Sequence, residues 1–180
     1  GNTTGYRNVF LGYQSGYSNV TGYDNIFVGF QSGYSNTNAD NNVFIGSETG
    51  FGNTEGGRNV FIGYKAGHEN RDGRNNSYIG FQAGYKNNGS QNSFLGYYAG
   101  SNNTGGDNNL YLGPYAGQGP NEGVTSGSNN VFIGNYSGQT FTTASYNSFV
   151  GYQSGRYLKN GKCNVFMGYQ AGYSADTTSF

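Results

Sequence analysis

Tryptophan is absent from this 180-residue chain, and cysteine, methionine and histidine occur once each. The lone Cys163 excludes an intrachain disulfide framework. Charge is sparse and balanced, nine basic against nine acidic side chains. Without clustered Lys and Arg there is no electrostatic footprint for nucleic acid or an anionic membrane. No run of about 18 apolar residues is present, so no membrane insertion of this segment is expected. A basic region followed by an apolar stretch, the mark of a signal peptide, is missing too. No metal-ligand cluster, phosphate-binding loop, GxGxxG or GxSxG pattern occurs, and the calcium-binding Gly-Gly-x-Gly-x-Asp nonapeptide is lacking. No catalytic, metal or cofactor residue is therefore assigned, and the chain is not expected to be an enzyme.

Glycine is what the chain has in excess: 34 residues, with 18 Tyr and 13 Phe supplying every aromatic ring. The segment Asn8-Val9-Phe10-Leu11-Gly12-Tyr13-Gln14-Ser15-Gly16-Tyr17 recurs ten times. Its first residue returns at Asn25, Asn42, Asn59, Asn76, Asn92, Asn109, Asn130, Asn147 and Asn164, at spacings of 17 four times, then 16, 17, 21, 17 and 17. Both glycines are kept in every copy, and a small residue always precedes the second. Self-similarity at a fixed short period is the signature of a repeat architecture. Residues 1–180 thus form a single repeat array, which begins mid-pattern at Gly1 and is read as a fragment of a longer chain.

Within one repeat, Val43-Phe44-Ile45 after Asn42 has the β-branched and aromatic composition of a strand. Stacked coils of such strands make an elongated all-β solenoid, or β-roll, of ten rungs of about 17 residues. At a spacing of roughly 4.8 Å per rung the rod would be about 50 Å long. Side chains alternate along a strand, so Phe44 points opposite to Val43 and Ile45, and both directions are apolar. A single thin coil covers one of them; a second chain over the Phe row is the expectation, since an exposed Phe row exceeds what soluble monomers tolerate. The Phe column, which includes Phe44 and Phe61, would line the interface or the lumen. The Asn column either hydrogen-bonds from rung to rung or only tolerates the turn entering the strand. The 21-residue spacing places an insertion between repeats 7 and 8, residues 118–127, expected as a solvent-exposed loop with the strands still in register.

The Asn-Val-Phe-Ile-Gly element, with a second Gly after a small residue, resembles the head repeats of trimeric autotransporter adhesins. It is similar also to repeats of large bacterial surface proteins and phage-type fibres. The resemblance implies a β-roll that is a parallel homotrimer, on a bacterial cell surface or virion surface, with an extracellular structural or adhesive role. It departs from the adhesin heads in its longer repeat and in Phe where those heads carry Ala.

Two further columns of rings are the functional lead. The candidate surface-binding residues are Tyr13, Phe30, Tyr64, Tyr152 and Tyr169 after the first Gly, and Tyr17, Tyr34, Tyr85 and Tyr173 after the second. Facing outward they would offer rings to a cell-surface glycan or protein; facing inward they are core or interchain packing. His68 occupies the Tyr column and reads as a substitution in it. Asp24 and Asp40, 16 residues apart, could approach as a carboxylate pair, against the plainer reading of two solvated turn residues. The leading function is a structural or adhesive rod segment of an extracellular fibre or adhesin. A receptor- or glycan-binding module of a phage-type tail fibre is the alternative, and an ice-binding solenoid is a third reading.

Overall fold

The computed structural model describes residues 2–121 and 123–174. Its ten strands are β1 Val9–Leu11, β2 Ile26–Val28, β3 Val43–Ile45, β4 Val60–Ile62, β5 Ser77–Ile79, β6 Ser93–Leu95, β7 Leu110–Leu112, β8 Val131–Ile133, β9 Ser148–Val150 and β10 Val165–Met167. They form one parallel sheet in sequence order. Equivalent residues are register partners throughout, for example Phe44 with Phe61 and Tyr111 with Phe132 across the longer spacing. The chain is a parallel β-solenoid, with no helix among the described residues.

Each strand is only three residues long because the backbone takes positive φ on both sides of it. The residue before the Asn lies at φ 54–60°, the first Gly at 123–144°, the residue two further on at 51–60°, and the second Gly at 55–63°. The first Gly cannot be replaced cheaply, because a Cβ on Gly63 would lie 2.4 Å from the carbonyl oxygen of Gly80 on the next rung. The second seats a ring: a Cβ on Gly67 would lie 2.4 Å from Cε2 of Phe61.

That seat decides which way the strand faces. Phe27, Phe44, Phe61, Tyr78, Phe94, Tyr111, Phe132 and Phe149 are 0–1% exposed within the single chain. Their rings stack along the lumen at centroid separations of 4.5–5.0 Å. The expectation of a second chain over the Phe row is corrected here. One ring per rung, resting on the opposite glycine, fills the lumen, so the column facing out is the pair of aliphatic residues beside it.

The Asn column forms a true ladder. Asn59 Oδ1 accepts the backbone N–H of Asn76 at 2.9 Å, and its Nδ2 donates to Gly73 O at 2.8 Å, both buried. The same pair of bonds recurs from Asn8–Asn25 upward. The residue that needs the turn's positive φ is the one before the Asn, such as Arg58. A second buried Asn column, Asn19, Asn36, Asn53, Asn70, Asn87 and Asn103, lines the opposite side of the lumen. There Asn87 Oδ1 accepts the hydroxyl of Tyr78 at 2.6 Å. Beyond the rung that carries the insertion, apolar Phe141 and Leu158 are buried at the equivalent position.

The insertion loop is less exposed than its sequence suggests. Asn121, Gly123, Val124 and Ser126 are exposed, but Gly119, Thr125 and Gly127 are buried. Thr125 is held by reciprocal bonds with Thr104 of the rung below: each hydroxyl accepts the other's backbone N–H, at 3.0 and 3.1 Å. Among the described residues of the loop the exposed ones, Asn121, Gly123 and Val124, precede Thr125, which must return to satisfy the preceding rung.

Candidate functional site

The outer face of the sheet is built by the residues that flank the buried ring in each strand. Of these 20 positions, 17 are Val, Ile, Leu or Met, three are Ser77, Ser93 and Ser148, and none is charged. In mid-rod Ile45, Leu95, Leu110 and Leu112 keep 38–46% of their surface exposed. Alternation along the strand makes this unavoidable, since with Phe inside, both its neighbours point out.

Beside this face run the two ring columns. Tyr13, Phe30, Tyr64, Tyr152 and Tyr169 are exposed, as is Tyr17, whereas Tyr34, Tyr85 and Tyr173 are half-buried. All nine lie outside the lumen. Tyr17, Tyr34, Phe51, His68 and Tyr85 make one unbroken stack, with centroids 4.9–5.1 Å apart and planes within 8°. A ring inside that stack has both faces covered by its neighbours, so its edge and hydroxyl are what it offers to solvent. Tyr173 meets Tyr157 edge-on at 5.0 Å.

The other column is discontinuous in a way the sequence reading missed. Where it carries Pro114 and Asn135, the rings move one residue on, to Tyr115 and Tyr136, and Tyr98 beside Tyr97 begins this second stack, at 5.8 and 4.9 Å. Tyr64, Phe81 and Tyr97 approach from below and Tyr152 and Tyr169 continue above. The shift is visible in the sequence once both positions are aligned together.

A few charged groups pair from rung to rung. Arg7 Nε and Nη2 donate to the two Asp24 oxygens at 2.5 and 2.6 Å. That bond holds the Asp24 carboxyl below its ordinary value. Asp40 is engaged separately, accepting the Tyr23 N–H at 3.1 Å. The two carboxylates therefore serve different partners, the plainer of the two readings offered by their spacing. Glu48 Oε2 lies 3.3 Å from Lys65 Nζ and 3.2 Å from His68 Nε2. Cys163 is exposed. Among the described residues no group of three His, Cys, Asp or Glu could hold a metal ion, and no helix is long and apolar enough to cross a membrane.

His68 yields a pH-dependent expectation. Burial in the ring stack pushes its imidazole below the ordinary 6.5, against the opposing pull of Glu48. The unfolded chain then binds a proton more readily than the folded one, so stability is full above 6.5 and falls as pH drops below it towards the depressed value. In His68→Phe, which copies Phe51 one rung below, this loss should vanish. Thermal melts at pH 7.5 and 5.5 check it: equal shifts in the two proteins would contradict the assignment.

The outer geometry defines the class as an all-β, parallel β-solenoid repeat protein. Comparison with protein-family models, curated proteins and solved structures finds no match.

Proposed function

We propose that this chain is a structural, adhesive rod segment of an extracellular bacterial fibre or surface adhesin, working as a homo-oligomer. The observation that carries the reading is the uncharged aliphatic face ten strands long. With the adjoining ring column it measures about 45 Å by 16 Å, on the order of 700 Å². The largest apolar patch of a typical soluble monomer is roughly 300–600 Å². Straight rows of Val, Ile and Leu at rung spacing are self-complementary, so another copy of the same face is the natural cover. The resemblance to obligately trimeric heads makes three the expected number of copies. A rod of this kind holds its two ends apart without needing a catalytic centre.

The test is a pair of charges in the middle of the face. Ile45→Lys with Ile62→Lys leaves the lumen untouched and should convert an oligomer into a folded monomer with an unchanged far-UV spectrum. Light scattering reads the mass. A variant that keeps the parent's oligomeric mass would place the contact elsewhere.

A further inference from the structure

One outward column, two residues before the Asn, reads Tyr6, Tyr23, Asp40, Gly57 and Arg74 on successive rungs. Tyr6 and Tyr23 stack at 5.0 Å with planes 5° apart. The column then loses its side chain at Gly57. The nearest atoms to a Cβ built there would be backbone atoms of Asp40, at 3.0–4.0 Å. The gap is a cavity of about 150 Å³ walled by Tyr23, Asp40, Glu55, Arg58, Arg74 and the neighbouring Asn38 and Asn41.

Charge is densest on the part of the rod that holds this gap. Ten of the 18 charged side chains fall between Asp40 and Lys86, about a quarter of the chain. Arg7 and Lys65 each have a carboxylate partner; among the described residues Arg58 and Arg74, like the other five Lys and Arg, have none within 4.0 Å. Glu55 is likewise without a cation at that distance. Two guanidiniums and two carboxylates thus line one small cavity, its carboxylates bound to no cation.

We propose that this notch binds one unit of an acidic saccharide. The guanidiniums of Arg58 and Arg74 suit a carboxylate, which they can meet with paired N–H donors. Asp40 and Glu55 have acceptor oxygens for hydroxyl donors, and the amides of Asn38 and Asn41 can donate or accept. The Tyr23 hydroxyl, a neutral phenol, can donate or accept. A ligand that satisfies all of these carries a single negative group and several hydroxyls on a compact ring, the description of a uronic acid. A plain anion would leave both carboxylates facing it, and an acidic peptide has too few hydroxyls to satisfy them.

The proposal goes beyond the rod reading, since a rod without a ligand would still assemble. Its test is calorimetric titration of the 180-residue chain with tri-galacturonic acid, with the methyl-esterified trimer, and with the acid in the presence of inorganic phosphate. The variant is Arg58→Asn with Arg74→Ser, which copies the Asn41 and Asn75 and the Ser90 of neighbouring rungs. Saturable binding of the acid is expected, weakened at least tenfold both in the variant and for the ester. No binding by the parent protein, equal binding of the ester, or unchanged affinity in the variant would overturn the proposal. Displacement by phosphate at equal concentration would overturn it as well, reducing the notch to an anion site. Light scattering on the same samples reads assembly separately, so failure of the notch and failure of the rod reading are distinguishable.

Discussion

Phe61→Ala should lower the unfolding free energy by about 3–5 kcal/mol, the range for emptying a buried aromatic site. Phe61 is 0% exposed, with Phe44 at 4.8 Å on one face and Tyr78 at 4.7 Å on the other. The void has no easy route to collapse. The backbone above and below is fixed by rung-to-rung bonds such as Val60 N to Asn76 O at 2.8 Å. Gly67 opposite has no side chain to move in. Val60→Ala, on the outer face of the same strand, should cost about 1 kcal/mol or less in a dissociated chain. Urea unfolding followed by circular dichroism gives both numbers. A cost below about 1 kcal/mol at Phe61 would mean that the ring column is not the lumen.

An added methyl should be as damaging as the lost ring. Gly63 has φ of 128°, a region in which an L residue is strained by roughly 1–3 kcal/mol. Its new Cβ would also press on the Gly80 carbonyl at 2.4 Å, and overpacking of that kind adds about 1–3 kcal/mol. Gly63→Ala should therefore destabilise by about 2–6 kcal/mol, by forcing two rungs apart. Lys65, two residues on, lies at φ 54° and pairs with Glu48 at 3.3 Å, a contact worth about 0–1 kcal/mol, so Lys65→Ala should cost about 1 kcal/mol or less. Equal melting temperatures for Gly63→Ala and the parent chain would show that the corner is not as tight as the stacked backbone requires.

The repeat itself was fully legible: Asn8 to Asn164, and both glycines, mark the start and corners of every rung, and the register survives the 21-residue gap. What the residues did not reveal was which face of the strand is inside. Alternation says only that Phe44 opposes Val43 and Ile45, and both sets are apolar. The answer lay in a pairing six residues apart, Phe44 with Gly50, where a Cβ would lie 2.5 Å from the ring. Such a contact depends on how the chain turns between the two, through positive φ at Glu48. Nothing in the type of residue at that position announces it, since Gln, Glu, Lys and Tyr all occupy it.

For the outer surface the legible part was smaller. The ring columns were found, and their stacking follows from rung spacing. The second Asn column was periodic from Asn19 to Asn103, but it sat in connectors whose polar composition reads as loop. Asn87 is buried because its amide serves the lumen, receiving the Tyr78 hydroxyl. The notch at Gly57 is a missing side chain, and an absence becomes a feature only when Asp40 and Arg74 are known to stand on either side of it.

The most direct test is the mass of the unmodified chain by light scattering at micromolar concentration. One chain weighs 19.3 kDa, so three together weigh 3 × 19.3 kDa, about 58 kDa. A folded assembly near that mass is the expected result, with the aliphatic face covered. A stable, folded species of 19.3 kDa at the same concentration would contradict it.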